Sequence, residues 1–462
     1  MTNRKHLLTD SQMAQFIAHG YVTVTPSLPP EVHTEIFAQH EEVFAKEGNP
    51  GNNLLPRMPL VLDVFTNEVV DGALRSVIGD NYYLQPHRHS HCRPAGSEGQ
   101  NMHRDGGHRW SHRTRYLLVF YYPQDTPVDR GPSGIVPGSH YFCTEEGARI
   151  TEELPHVCPA GSVTVVNYDL WHRGMPNLTE QNRYMVKFLF SRMSEPTAPS
   201  WNNESRDWPG CPPALEGDDD DLQNMYAHVW HWHRGDPINS PNHSSNGHSP
   251  EQLAQHLDSE HEREAIEAAY KLAALGKEAL PLVAKKLENT SESIRRHAAY
   301  TLSAIGESAV PILIDLLTHT NAATRAITAE ILGDIGLPAA PSVKALIAAA
   351  TDPETEVRRH ACNALGTVCQ TSSTAVPALI KALTDIDDSV RRAAVFSLAL
   401  LAPYASDATE ALVQVLDDRD RYVRGDALYA LERIGTTKAK DALIRHLKPA
   451  RWCPLTTQES QF

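Results

Sequence analysis

Histidines, arginines and a single carboxylate crowd one short stretch of the chain, NMHRDGGHRWSHRTRY, residues 101–116. Such a mixture fits a metal site, an anion-binding patch or a solvated loop. His103 and Asp105 stand two positions apart, and the period of two in an extended strand would point both side chains the same way. A pair of this kind can supply two ligands to one metal ion, so a third ligand is expected elsewhere in the chain.

The best candidate for that third ligand is His172, which lies in NYDLWHRGMPN at the end of a predicted strand. Two histidines and one carboxylate on one face of a metal leave the opposite face open, and this is the ligand set of non-haem Fe(II) oxygenases. Oxygen chemistry requires the open face, because the iron must hold a bidentate 2-oxoacid and still have a place for O2. His103, Asp105 and His172 are therefore the predicted catalytic metal ligands.

Arg183 follows His172 by 11 residues and lies on the next predicted strand. A turn through PNLTEQ would bring its guanidinium beside the metal. A fixed guanidinium suits a carboxylate, because the two can form a pair of parallel hydrogen bonds. We therefore predict that Arg183 binds the far carboxylate of 2-oxoglutarate.

These residues and their surroundings resemble the phytanoyl-CoA dioxygenase family of Fe(II)- and 2-oxoglutarate-dependent oxygenases. The likeness extends over most of the first 193 residues and includes FIAHGYVTV, MHRD, GPSGIVPGSH and LWHRGMPN followed by Arg183. The resemblance implies a double-stranded β-helix with His103, Asp105 and His172 as iron ligands. It further implies Arg183 as the 2-oxoglutarate anchor, O2 as the second cosubstrate, and decarboxylation of 2-oxoglutarate to succinate.

Two positions bear on what this resemblance implies. Many relatives carry a small hydroxyl residue two positions after the distal histidine, where this chain has Gly174. The related halogenases lose the carboxylate ligand to make room for halide, whereas this chain retains Asp105. The implied reaction is therefore hydroxylation of an unactivated C–H bond of a small metabolite.

Further basic residues surround the predicted iron motif in an otherwise acidic chain. Four arginines are candidates for substrate binding: Arg104, Arg109, Arg113 and Arg115. They could form a positive entrance that attracts a carboxylate, phosphate or sulfate substrate. They could equally form salt bridges to acidic neighbours. Both alternatives stay open at the level of sequence.

Short strands must position the ligands. RYLLVFYYP (115–123), GSVTVVNYDLW (161–171) and NRYMVKFLFSRM (182–193) are rich in β-branched and aromatic residues. Strands that follow one another without intervening helices favour an antiparallel sandwich or barrel. Residues 1–200 are thus expected to form a jelly-roll oxygenase domain, opened by a capped helix within residues 9–24.

From about residue 259 the sequence repeats itself. Five phrases align on arginines at steps of 30, 33, 33 and 33 residues: Arg295, Arg325, Arg358, Arg391 and Arg424. Each unit contains a second helical phrase, and prolines suited to the first turn of a helix mark three of these phrases: Pro311, Pro341 and Pro377. The phrases resemble HEAT-type repeats, and helix pairs of this kind stack to bury their apolar stripe. Residues 259–449 are predicted to form an α-solenoid of about six repeats.

Residues 201–258 are rich in Pro, Asp, Asn and Ser, which predicts a linker, and residues 450–462 form a C-terminal tail. Within the linker, residues 222–235 fit one amphipathic helix. Four apolar residues are expected to pack it onto the first domain: Met225, Val229, Trp230 and Trp232. His231 and His233 would lie on different faces of this helix, which argues against a metal site there.

Composition limits the class of protein. The formal net charge of -15 argues against nucleic-acid binding as the main function. The beginning of the chain has no apolar core of signal-peptide length, and no stretch reaches about 18 unbroken apolar residues, so a cytoplasmic protein without membrane attachment is expected. Seven cysteines without a C-x-x-C pair indicate reduced thiols rather than a disulfide framework.

Three alternatives remain beside a small-molecule hydroxylase. The solenoid could hold a protein or peptide substrate, or it could serve self-association or close the active site. The same ligand set could bind zinc and activate water for hydrolysis. A non-catalytic solenoid interaction protein is the third alternative, although an intact ligand set disfavours it.

Overall fold

The structure is a computed structural model that describes residues 4–107, 110–148, 151–211, 222–236 and 249–448. The chain forms two compact units. The first comprises Met1–Pro237 with His261–Arg263, and the second comprises Ile238–Glu260 with Glu264–Phe462.

Two antiparallel sheets build the first unit. Its strands are β1 (Tyr21–Val24), β2 (Tyr83–Arg93), β3 (Tyr116–Tyr121), β4 (Ser133–Ile135), β5 (Leu154–His156), β6 (Val163–Asn167), β7 (His172–Gly174) and β8 (Arg183–Ser191). The larger sheet has the order β1-β6-β3-β8-β2, and the smaller sheet has the order β5-β4-β7. This arrangement confirms the predicted double-stranded β-helix, and each of the three predicted strand segments contains one of the observed strands.

The inward side chains of both sheets form one apolar core. Leu118, Phe120, Met185 and Leu189 of the larger sheet pack with Ile135 of the smaller sheet. The alternation along β8 is what places these groups inside, because every second residue of a strand faces the same side. By the same alternation, Arg183 and Lys187 share the inner face with Met185.

Helices complete the first unit. They are α1 (Asp10–His19), α2 (Pro30–Glu47), α3 (Leu60–Phe65), α4 (Glu68–Ile78), α5 (Glu145–Ala148) and α6 (Gln223–His233). The predicted opening helix is α1, where Thr9 and Gln12 form a capping box and Gly20 ends the helix at φ 82°.

Helix α6 packs within the first unit through the four predicted residues, all of which are buried. The Trp230 ring contacts the Trp201 ring at a centroid distance of 5.1 Å. The guanidinium of Arg192 lies over the Trp232 ring, 4.8 Å from its centroid. The amphipathic pattern of this segment therefore reflects packing of aromatic rings against the β-domain.

Paired helices build the second unit, as the repeats predict. They are α7 (Pro250–His256), α8 (Glu262–Leu275), α9 (Leu280–Lys286), α10 (Glu292–Ile305), α11 (Val310–Leu316), α12 (Ala322–Ile335), α13 (Val343–Ala349), α14 (Thr355–Val368), α15 (Val376–Ala382), α16 (Asp388–Leu400), α17 (Thr409–Gln414), α18 (Arg421–Ile434) and α19 (Thr437–Leu447). Pro311 and Pro377 lie in the first turns of α11 and α15, as expected. Pro341 is not in the first turn of α13. It lies in the 3-10 segment Leu337–Ser342, which precedes that helix.

The repeated arginine has a structural reason. Arg358 donates to the carbonyl oxygens of Asp352 and Pro353 in the turn before its helix, and it pairs with the Asp385 carboxylate at 2.7 Å. Equivalent ion pairs join Arg325 with Asp352 and Arg391 with Asp418. Each guanidinium thus connects the turn of its own repeat to the turn of the next, which favours one arginine per period.

Within the described residues, one stretch, Glu292–Leu316, is apolar and long enough to cross a membrane by length and composition, with a mean hydropathy of 1.2. It covers α10 and α11, and 61% of its apolar window is buried. A core helix of a helical array has the same composition, so packing among the repeats accounts for this stretch.

Candidate metal centre

Backbone pairing brings His103 and His172 together although 69 positions separate them in the sequence. The His103 N–H donates to the His172 carbonyl oxygen (3.0 Å), and the His172 N–H donates to the His103 carbonyl oxygen (2.8 Å). Directly opposed residues of an antiparallel pair project their side chains to the same face. The two imidazole rings accordingly lie 4.7 Å apart between centroids.

A backbone carbonyl group orients each imidazole ring by accepting a hydrogen bond from its Nδ1. His103 Nδ1 lies 2.9 Å from the Asn101 oxygen, and His172 Nδ1 lies 2.8 Å from the Leu170 oxygen. Because a carbonyl oxygen can only accept, each Nδ1 carries the proton and each Nε2 keeps a free lone pair. This tautomer is the one that binds a metal ion through Nε2.

Asp105 completes a group of three metal-ligating side chains. One ligand atom from each of His103, Asp105 and His172 lies within 4.8 Å of the others. His172 Nε2 lies 3.7 Å from Asp105 Oδ2. His172 is buried, whereas His103 and Asp105 are half-buried, so the group is closed on one side and accessible on the other. The residues present therefore fit a metal ion with an open coordination face.

The charge states of the ligands also suit a cation. Burial lowers the pKa of His172 to about 4, which keeps the imidazole neutral at neutral pH. Burial alone would raise the pKa of Asp105, but the charge of Lys187 and the hydrogen bond that Lys187 donates hold that pKa below its usual value. The group thus offers a neutral imidazole at His172 and an ionised carboxylate at Asp105.

Lys187 is a member of this site that sequence reasoning missed. Its Nζ donates to Asp105 Oδ2 at 2.6 Å, and the residue is only 4% exposed. The signal for it was present in the sequence, because Lys187 stands four residues after Arg183 on the same strand and so faces the same side. What the sequence does not show is the register that brings this strand to Asp105.

Arg183 lies inside the β-helix at the start of β8 and is 1% exposed. Its Nε donates to the Gly131 carbonyl oxygen at 2.6 Å, while its Nη1 is buried without a hydrogen-bond partner in the described part of the chain. Burial lowers the pKa of Arg183 to about 10. A buried guanidinium with an unused donor is costly unless an anion binds it.

Arg93 lies directly opposite Arg183 in the register of β2 with β8. Its Nη2 donates to the Gly174 carbonyl oxygen at 3.1 Å. A Cβ atom at position 174 would come within 2.5 Å of Arg93 Nε. The glycine that departs from the family pattern therefore leaves room for a second guanidinium beside the first.

His91 occupies the inner face between these cations. It stands opposite Met185 in the register, so Arg183 and Lys187 are its diagonal neighbours. Burial lowers the pKa of His91 well below its usual value, and the charges of Lys187, His89 and Arg183 act in the same direction. Its Nε2 is buried without a hydrogen-bond partner among the described residues. The interior thus offers a further neutral polar group beside the metal ligands.

The four arginines proposed for substrate binding have different positions. Arg115 pairs with Glu195, and Arg113 is buried with its guanidinium 5.9 Å from the centroid of the Trp232 ring. Arg104 is half-buried near Cys143, with an Nη1 to Sγ distance of 3.5 Å. Arg109 lies outside the described residues. The structure therefore gives Arg115 an ion pair, as in the salt-bridge alternative, and gives Arg113 a contact with an aromatic ring.

The paired histidines of α6 have partners of their own. His231 Nδ1 lies 2.9 Å from Asp236 Oδ2, and His233 Nδ1 lies 3.3 Å from Arg192 Nη2. These contacts hold the end of the helix in place. They account for both residues without a metal ion.

Comparison with known families assigns both parts of the chain. Residues 9–185 match the family model described as phytanoyl-CoA dioxygenase, and they form a domain of that oxygenase family. Residues 250–324, 310–399 and 376–452 match HEAT repeats.

Several solved structures are similar to part of this chain. The non-heme alpha ketoglutarate dependent carbocyclase SnoK from nogalamycin biosynthesis is 18% identical, with a TM-score of 0.35 over 40% of this chain and 85% of that chain. The epimerase SnoN, solved in complex with Fe3+, alpha ketoglutarate and nogalamycin RO, is 18% identical, with a TM-score of 0.35 over 45% and 93% of the two chains. AviO1 from Streptomyces viridochromogenes Tue57 is 15% identical, with a TM-score of 0.35 over 46% and 100%.

Proposed function

We propose that the phytanoyl-CoA dioxygenase family domain, residues 9–185, is an Fe(II)- and 2-oxoglutarate-dependent dioxygenase. The enzyme would hydroxylate a C–H bond of a small molecule. One observation carries this proposal. A two-histidine, one-carboxylate group and a buried guanidinium with an unused donor face the same interior. The first suits a metal ion with open positions, and the second suits a carboxylate.

His103, Asp105 and His172 would hold the iron, which supplies the activation of O2 when it is bound together with 2-oxoglutarate. The backbone carbonyls of Asn101 and Leu170 fix both imidazoles before any metal arrives. Pre-oriented ligands of this kind raise metal affinity because less ordering is needed on binding. The β7 strand and its bridge to His103 therefore provide a rigid base for the site.

Arg183 would bind the far carboxylate of 2-oxoglutarate. It stands four residues from Lys187 along β8, a separation of about 13 Å between Cα atoms, and Lys187 contacts the metal-ligating Asp105. Arg93 adds a second positive charge opposite Arg183. The dicarboxylate would thus lie along β8, with one end at the metal ligands and the other end at the arginines.

The apolar core protects this arrangement from water. Phe120 packs near His172, with ring centroids 5.5 Å apart, and Leu189 continues the apolar wall along β8. Exclusion of water strengthens the electrostatic contacts inside a site and limits side reactions. A small substrate that covers the accessible side of the metal would complete the enclosure.

The HEAT solenoid would support recognition or assembly. A stack of helix pairs presents an extended surface, which proteins of this architecture use to bind other chains. Light scattering of the full chain tests the assembly role, because a stable dimer supports it and a monomer argues against it.

The test is a binding experiment without oxygen. Fe(II) and 2-oxoglutarate added to the protein should produce a weak visible metal-to-ligand charge-transfer band. His172→Ala and Arg183→Ala should abolish it at moderate 2-oxoglutarate concentration. His231→Ala and Arg75→Ala serve as matched controls, because these residues pair with Asp236 and Asp80 away from the ligand group. No band in the unaltered protein, together with hydrolytic activity on addition of zinc, would favour a metallohydrolase instead.

A further inference from the structure

Lys187 is a buried cation in direct contact with a predicted metal ligand. Its Nζ lies 2.6 Å from Asp105 Oδ2, and its side chain is 5% exposed. Its neighbours across the sheet are His89 on β2 and Phe120 on β3. In the described part of the chain, Asp105 is the only carboxylate that pairs with Lys187.

The oxygen that accepts from Lys187 is also the one nearest the imidazole of His172. Asp105 Oδ2 lies 3.7 Å from His172 Nε2, whose lone pair faces the ligand group. A metal ion held by His172 and Asp105 would therefore approach the same carboxylate oxygen that the ammonium contacts. The positive charge of Lys187 would remain within a few ångströms of the incoming ion.

We propose that Lys187 makes metal binding depend on a carboxylate co-ligand. This inference rests on the proposed function and adds to it a residue that controls the order of binding. In the metal-free protein, the ammonium neutralises Asp105 and so takes the place of part of the metal charge. A divalent ion alone must share the carboxylate with this ammonium and is repelled by it. The carboxylate of a 2-oxoacid that arrives with the metal supplies a new partner for Lys187 and removes the penalty.

Two effects of opposite direction compete at such a position. If Lys187 acted only to orient Asp105, its loss would weaken metal binding, because ligand-orienting contacts typically raise affinity. If its charge dominates, its loss strengthens binding of the metal alone, because a buried carboxylate without a partner is a better ligand and the repulsion disappears. A unit charge about 5 Å from a divalent ion changes affinity by about tenfold even at the dielectric constant of water, and by more inside a protein. The charge effect is therefore expected to prevail.

The experiment measures the affinity of the metal-free full chain for Mn(II) by electron paramagnetic resonance, with and without saturating 2-oxoglutarate. For Lys187→Met, we expect Mn(II) alone to bind about tenfold more tightly than to the unaltered protein. The tightening of Mn(II) binding that 2-oxoglutarate causes should shrink by a similar factor. Lys46→Met is the matched control, because Lys46 pairs with Glu42 on the surface of α2, and it should change neither value.

Circular dichroism and thermal unfolding show whether the variant folds, and Lys187→Gln replaces it with the same expectation if it does not. Mn(II) affinity that is unchanged or weaker in the folded variant would overturn the inference, because Lys187 would then orient Asp105 rather than compete with the metal. If the unaltered protein does not bind Mn(II) at all, the proposed function fails as well, so the two failures are distinguishable.

Discussion

Replacing Arg183 with methionine tests whether this residue binds 2-oxoglutarate or only stabilises the fold. Methionine keeps much of the length and removes the charge and the donors. In most folds, removing one partner of a buried ion pair costs about 3–5 kcal/mol of unfolding free energy. Arg183 differs, because it forms no ion pair with a carboxylate in the described part of the chain and its Nη1 is unpartnered.

The expected stability change follows from two opposing contributions. Lowering the pKa of Arg183 to about 10 by burial makes its charged form less favourable in the folded protein by about 3 kcal/mol. Against this, the variant loses the hydrogen bond to the Gly131 carbonyl oxygen, which leaves a buried acceptor at a cost of about 1–3 kcal/mol. The two contributions nearly cancel, so Arg183→Met should unfold within about 2 kcal/mol of the unaltered protein.

The affinity for 2-oxoglutarate should change far more than the free energy of unfolding. Loss of one partner of a buried carboxylate–guanidinium contact costs about 2–5 kcal/mol, which corresponds to a loss of affinity of at least about thirtyfold. Titration of the charge-transfer band without oxygen gives the affinity, and urea unfolding gives the stability. A variant that binds 2-oxoglutarate normally, or one that is strongly destabilised, would refute this reasoning and make Arg183 a structural residue.

Three further outcomes follow from other parts of the molecule. Gly174→Ser should displace the Arg93 guanidinium, because a Cβ atom would lie 2.5 Å from the Arg93 Nε. The affinity for 2-oxoglutarate should fall about tenfold with little change in the free energy of unfolding. An unchanged affinity in the titration would exclude a role for Arg93. Trp232→Ala should lower the free energy of unfolding by about 3 kcal/mol and leave the charge-transfer band intact, because the ring packs on Arg192 and Arg113 away from the ligands. The pKa of the Asp418 carboxyl lies below its ordinary value because Arg391 donates hydrogen bonds to the carboxylate. This pair therefore stabilises the solenoid above about pH 4, and that stabilisation is lost as the pH falls through the pKa of Asp418 in the folded protein. Asp418→Asn should therefore reduce stability at pH 7 and flatten its decline toward pH 3, as measured by thermal unfolding at each pH.

The grouping of His103, Asp105 and His172 could be predicted from sequence because two histidines and one carboxylate are a known combination of metal ligands, although His172 is distant from the other two along the chain. His103 and Asp105 are two residues apart, and His172 follows the apolar strand β6 by a few residues and begins β7. The repeats could be predicted for a similar reason, since the arginine of each period contacts the turn just before it. A contact that recurs within each repeat appears in the sequence as a residue at a regular spacing.

Features that depend on register or on distant partners could not be predicted. Lys187 reaches Asp105 across 82 positions, and Arg115 reaches Glu195 across 80. The sequence shows a charge at each place but not which opposite charge meets it. Arg113 and Arg115 were thus equal candidates for substrate and for salt bridges until the positions of Glu195 and Trp232 were known.

The charges inside the β-helix bear on the kind of molecule that enters. Among the residues that the structure describes, Arg183, Arg93 and Lys187 face the interior near one carboxylate, that of Asp105, while burial keeps His91 and His172 neutral. The site without ligands therefore carries an excess of positive charge in a chain whose net charge is -15. A divalent metal increases this excess, and a dicarboxylate cosubstrate offsets only that increase. We accordingly expect the substrate itself to carry negative charge, since an anion beside the metal would complete the neutralisation that the protein's own carboxylates leave unfinished.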